Sequence, residues 1–111
     1  MVVEFVQIST ATDRREDAEK ISRALVKRQL AACVQILGPI TSIYSWKGKI
    51  ETTEEWLLLI KTRRELFKKV EQSIKGLHSY ETPEIIALPV LEGSRDYLGW
   101  LAVELAKKDV K

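Results

Sequence analysis

Two strand–helix–strand units in tandem, followed by one more helix, predict an α+β fold built on a single antiparallel sheet. Three observations carry this. Apolar residues recur at helical spacing in three separate stretches. Runs rich in β-branched and aromatic residues lie between them, and turn residues fall at the joints. The 111-residue length suits one domain, taken as residues 1–111, with no room for a second core.

Val2 to Ile8 is a β-rich run with apolar side chains on both parities, as expected of a central strand. Asp13, with Glu16 three residues on, has the spacing of a helix cap with its reciprocal partner. The helix it opens carries Ala18, Ile21, Ala24 and Leu25 on one face and runs to about Gln29. From Ala31 the pattern turns to β and continues to Trp46, interrupted by Gly38-Pro39, which marks a bulge or kink on an edge strand. Lys47-Gly48 makes a tight turn, and Lys49 to Lys61 returns. Thr62 and Glu65 have capping-box spacing for a second helix, with Leu66, Phe67, Val70, Ile74 and Leu77 as its stripe and Gly76 near its end. A polar loop from His78 to Pro83 leads to a last strand, Glu84 to Val90, in which Pro89 again marks an edge. Ser94 can cap a third helix bearing Tyr97, Leu98, Leu101 and Leu105.

Two βαβ crossovers sharing one sheet give the ferredoxin-like βαββαβ arrangement, with strand order 4-1-3-2 and an added C-terminal helix. That order places both proline-bearing strands at edges and the doubly apolar first strand inside. The two clues agree.

The hairpin is too long for its own domain. A compact chain of this length has a radius of gyration of about 13 Å. A straight strand from Ala31 to Trp46 would span roughly 50 Å at ~3.3 Å per residue. An isolated two-stranded ribbon is marginal in water, and the overhang carries Ile40, Ile43, Tyr44, Trp46 and Ile50. These five are predicted to form an interface with other copies of the chain, closed into a ring by symmetry. Geometry alone does not choose between dimer and trimer.

Composition removes several function classes. Eighteen basic residues face 16 acidic ones, a formal charge of +2, and they are interspersed, as at Arg14-Arg15-Glu16-Asp17. No clustered basic footprint points to nucleic acid. No wholly apolar run, Trp56 to Ile60 included, exceeds five residues, far short of the roughly 20 a spanning helix needs, so no membrane partner is expected. A start without a basic leader and a single cysteine fit a cytoplasmic protein. Cys33, flanked by Ala32 and Val34, is expected to act as a small buried hydrophobe. There is no G-x-S-x-G, H-E-x-x-H, P-loop or G-x-G-x-x-G motif, so no enzyme is expected.

Several spaced segments resemble the CutA family of divalent-cation tolerance proteins. They are Leu30 to Ile36, Thr41 to Lys49, Leu58 to Thr62, His78 to Ile86, Leu88 to Val90 and Tyr97 to Leu101. The resemblance covers essentially the whole chain. It implies a ferredoxin-like homotrimer built through the long hairpins, linked to the response to metal ions and, in some members, to copper binding. It implies copper or another divalent cation as the bound group, and no organic cofactor. The family's proposed copper ligands are a cysteine at the end of the first strand and a histidine pair before the last; at those positions stand Ser9, Leu77 and His78. Only the last keeps a metal-binding side chain.

Two site expectations follow. His78, Glu81 and Glu84 combine an imidazole with two carboxylates, ligand types of zinc or Cu(II) sites, at a spacing that matches no closed motif. Topology places a polar cleft at the corner where the first and third strands meet the His78 loop, with Ser9, Lys61 and Tyr80 as its ligand-binding residues. Competing readings are a PII-like trimeric signalling or ligand-binding module, for which the two-residue tip Lys47-Gly48 is short, and a structural anchoring trimer without a metal function.

Overall fold

The computed structural model describes residues 3–106. Its elements are β1 (Phe5–Thr12), α1 (Arg15–Lys27), β2 (Cys33–Trp46), β3 (Lys49–Arg63), a 3₁₀ turn (Arg64–Leu66), α2 (Phe67–Leu77), β4 (Ile86–Pro89) and α3 (Arg95–Ala106). The sheet order is β2-β3-β1-β4 with every neighbouring pair antiparallel. This is the predicted 4-1-3-2 order, and the two proline-bearing strands are indeed its edges. No described helix is long and apolar enough to cross a membrane.

The pleat divides the sheet's side chains between two layers. Val6 and Ile8 of β1 and Leu58 and Ile60 of β3 join Ala18, Ile21 and Leu25 of α1 and Val70 and Ile74 of α2 in the main core. Fully burying each large aliphatic side chain contributes about 1.5–3 kcal/mol. Glu16 and Asp17 in the first turn of α1 and Lys27 in its last suit the helix dipole. On the other face, α3 covers one end only, packing Leu101 and Leu105 on Phe5. The rest of that face stays open, with Leu37, Ile86 and Leu88 exposed.

Several local expectations change. The first strand begins at Phe5 and runs to Thr12, because Ser9 to Thr12 pair with Leu59 to Trp56; Val2 lies outside the described residues. Neither capping box forms. The N-cap of α1 is Arg14, without a side-chain bond, and the Thr12 hydroxyl donates to the Arg14 carbonyl at 2.8 Å. Thr62 does not start a helix: β3 continues to Arg63, which pairs with Phe5, and the buried Thr62 hydroxyl donates to the Leu30 carbonyl at 2.6 Å. Strand pairing across the sheet outweighs a cap worth ~1 kcal/mol. The last strand shortens to Ile86–Pro89. Cys33 is half-buried, not enclosed. Ser94 does cap α3, accepting from the Tyr97 N–H at 3.2 Å.

The hairpin behaves as its length requires. A register shift between Leu37 and Ile40 marks the bulge at Gly38-Pro39. There the Trp56 indole lies where any side chain on residue 38 would have to sit. At the tip, Lys47 and Gly48 both have positive φ, 53° and 82°, the backbone of a two-residue I′ turn. The chain measures 44 × 32 × 22 Å with a radius of gyration of 14.8 Å, longer than a compact domain.

Two buried threonines on the core-facing parity give a paired stability test. The Thr10 hydroxyl has no hydrogen-bond partner, whereas that of Thr62 is bonded. Thr10→Val is expected to be neutral or to stabilise by about 1 kcal/mol, and Thr62→Val to destabilise by about 1–3 kcal/mol. Urea denaturation of both variants checks the sign.

Candidate functional site

The loop after α2 is tied down by its histidine. The His78 N–H bonds the Ile74 carbonyl at 2.8 Å, ending the helix. Its ring Nδ1 accepts from the Tyr80 N–H at 3.1 Å, so Nε2 carries the proton and donates to the Ala11 carbonyl at 2.7 Å. Both ring nitrogens are therefore engaged. The imidazole stacks obliquely on Tyr80, centroids 4.8 Å apart. Tyr80 in turn donates its hydroxyl to Glu55 Oε2 at 2.6 Å.

Glu55 sits just beyond the bulge, paired with Ile40, and only 7% of its surface is exposed. Burial, followed by the hydrogen bond to this carboxylate, raises the Tyr80 phenol well above its ordinary value of 10.0. Around the pair opens a cleft of about 550 Å³ between the hairpin and the loop. Tyr44, Trp46 and Tyr80 supply its aromatic walls, and Glu55, Glu81 and Glu84 its charge. The volume is that of a small-molecule site.

The predicted ligand-cleft set is only partly brought together. Tyr80 lines the cleft. Ser9 reaches it indirectly, donating to Glu84 Oε2 at 3.0 Å. Lys61 is not there: it pairs with Gln7 and Cys33, four residues along β3 from Leu57, or roughly 13 Å at strand rise. Its ammonium donates to the Gln35 side chain instead. The loop packs at the Ala11 end of β1, opposite to the end that Lys61 marks.

The predicted metal set does not converge either. His78 has spent both nitrogens on the backbone, and Glu84 is held by Ser9. Among the described residues no three potential metal ligands lie close enough to share an ion. The residues of one chain therefore do not fit a copper or zinc site of the predicted composition.

Of the predicted interface residues, Ile43 is 69% and Ile50 81% exposed; Tyr44 and Trp46 are exposed as well, and Ile40 is half-buried. The sequence reading missed Glu55 as a site residue. Within Thr52-Thr53-Glu54-Glu55 it has the pattern of a solvated charge. Only the bulge and the arrival of Tyr80 enclose it.

The sequence model of the CutA1 divalent ion tolerance protein family matches residues 6–104. The chain belongs to that family. It is 50% identical over 86 residues to the divalent-cation tolerance protein CutA of Thermus thermophilus, covering 78% of this chain and 84% of that protein. It is 48% identical over 84 residues to protein CutA of Mus musculus, covering 76% of this chain but 48% of the mouse protein. The crystal structure of CutA1 from Oryza sativa superposes with a TM-score of 0.90 at 35% identity, covering 96% of this chain and 97% of that one.

The Tyr80–Glu55 bond has a pH signature. Above pH 10 the phenol ionises in the unfolded chain while folded Tyr80 holds its proton, so stability is fully present below that pH and declines as pH rises through the raised folded value. Tyr80→Phe is expected to flatten this alkaline decline, measured by urea denaturation between neutral and strongly alkaline pH.

Proposed function

We propose that the protein works as a homotrimer in the response to divalent metal ions, by assembly and binding rather than catalysis, in the cytoplasm. Copper or another divalent cation would bind weakly, at carboxylates that two subunits bring together. The observation that carries the assembly is the apolar hairpin, with Ile43 and Ile50 open to water on a chain 44 Å long. Apolar area of this kind is stabilised by burial at about 25 cal/mol per Å². The relatives' names as divalent-cation tolerance proteins support the cation reading. The lone histidine of the chain, with both nitrogens bonded, favours binding over acid–base chemistry.

Sedimentation is expected to give about three times the 12.7 kDa chain mass. The double variant Ile43→Ser/Ile50→Ser is expected to shift it toward monomer. A folded wild-type monomer at micromolar concentration would overturn the assembly.

Calorimetric titration with Cu(II) and Zn(II) tests the cation site. His78→Ala is expected to bind within about twofold of wild type, and the hairpin double variant to lose binding. Loss of binding in His78→Ala, with the loop intact by circular dichroism, would return the histidine to the site.

A further inference from the structure

The cleft holds a charge that nothing in the described chain balances. Glu55 is 93% removed from solvent on the 7% exposure it retains, yet its one recorded side-chain partner is the Tyr80 hydroxyl, and it makes no ion pair among the described residues. An enclosed carboxylate without a cation carries a desolvation cost of several kcal/mol. Glu81 and Glu84 add two more carboxylates to the same cleft, and no lysine or arginine lines it. The recorded cation–aromatic contact nearby is Lys47, 5.6 Å from the Trp46 ring centroid and outside the lining; its partner is the ring, not Glu55.

The walls narrow the kind of cation. Three aromatic side chains, Tyr44, Trp46 and Tyr80, border the space. Aromatic faces attract ammonium groups that are poorly hydrated, and gain more when the site is shielded. A bare metal ion needs several ligands within about 2–2.6 Å, and no three potential ligands among the described residues approach that closely. Carboxylates spread around a cleft of about 550 Å³ suit a larger ion whose charge is carried on an organic body.

We propose that this cleft binds a small organic ammonium ion, its charged head on Glu55 and its apolar body against Tyr44, Trp46 and Tyr80. The Tyr80 hydroxyl occupies one oxygen of Glu55 and orients the carboxylate, leaving the other oxygen for the ligand's N–H groups. Glu81, exposed at the rim, strengthens the attraction without touching the buried head. The proposal stands on the cleft of one chain. Two of its walls, Tyr44 and Trp46, also belong to the predicted interface, so the site is tested in the assembled protein; it does not depend on divalent-cation binding.

The test uses the whole protein in its native assembly and three probes of one shape: benzylammonium, benzyl alcohol and benzoate. Isothermal calorimetry, with tryptophan fluorescence as a second readout, is expected to show saturable benzylammonium binding at one per chain. Benzyl alcohol is expected to bind at least about tenfold more weakly, and benzoate not at all. Glu55→Gln is expected to weaken benzylammonium by about tenfold or more, and Glu81→Gln by a smaller factor that disappears at high salt. Glu81 lies at the surface, so its variant keeps the test decisive should Glu55→Gln not fold. Equal binding of the three probes, no effect of either variant, or no saturable response up to tens of millimolar would overturn the proposal. The last outcome covers a cleft already filled by a sister chain.

Discussion

The β1–β3 ladder, from Phe5↔Arg63 to Thr12↔Trp56, sets the position of everything else. Because side chains alternate across a strand, this register turns Val6 and Ile8 with Leu58 and Ile60 toward α1 and α2, and leaves Gln7, Ser9 and Lys61 on the other face. A slip of one residue would exchange the two sets. The same ladder carries Thr62 into the sheet, where its hydroxyl reaches Leu30, and so displaces the start of α2 to Phe67. It also brings the end of β1 at Ala11 beside the loop that His78 anchors. The cleft is a consequence of where this ladder stops.

His78 shows how one side chain can be structural and still shape a site. By accepting from Tyr80 and donating to Ala11, it fixes the loop to β1 and aims the phenol at Glu55. A metal ion would have to compete for nitrogens that already close two backbone bonds. The charge of the region therefore comes from carboxylates, and its shape from aromatic rings. That combination favours a cation with a hydrophobic body over a compact one.

The hairpin and the cleft share residues. Tyr44 and Trp46 are at once part of the exposed apolar ribbon and the walls of the cleft. Contact with another copy would narrow the opening and lower the dielectric around Glu55, strengthening any charge interaction there. Assembly and ligand affinity would then be linked through the same two rings, without a moving part.

Repeating patterns were legible in the sequence. The 3.6-residue stripes of α1 and α2, the doubly apolar first strand, the Gly38-Pro39 bulge, the Lys47-Gly48 turn and the edge prolines all express local rules, and together they determined the strand order and the overlong hairpin. The resemblance in spaced motifs determined the family. The caps at Asp13 and Thr62 were misjudged although both have the right neighbours: Thr62 is taken up by the continuing ladder, while α1 starts one residue later than Asp13 would cap, with Arg14 at its N-cap and the Thr12 hydroxyl on the Arg14 carbonyl. The site was half legible: Tyr80 belonged to it, Lys61 did not, and Glu55 went unnoticed. Only the tertiary structure decided these. Burial of a charge and the use of an imidazole's two nitrogens depend on residues far apart in the chain, such as Ala11 with His78 and Glu55 with Tyr80, whose meeting leaves no local trace.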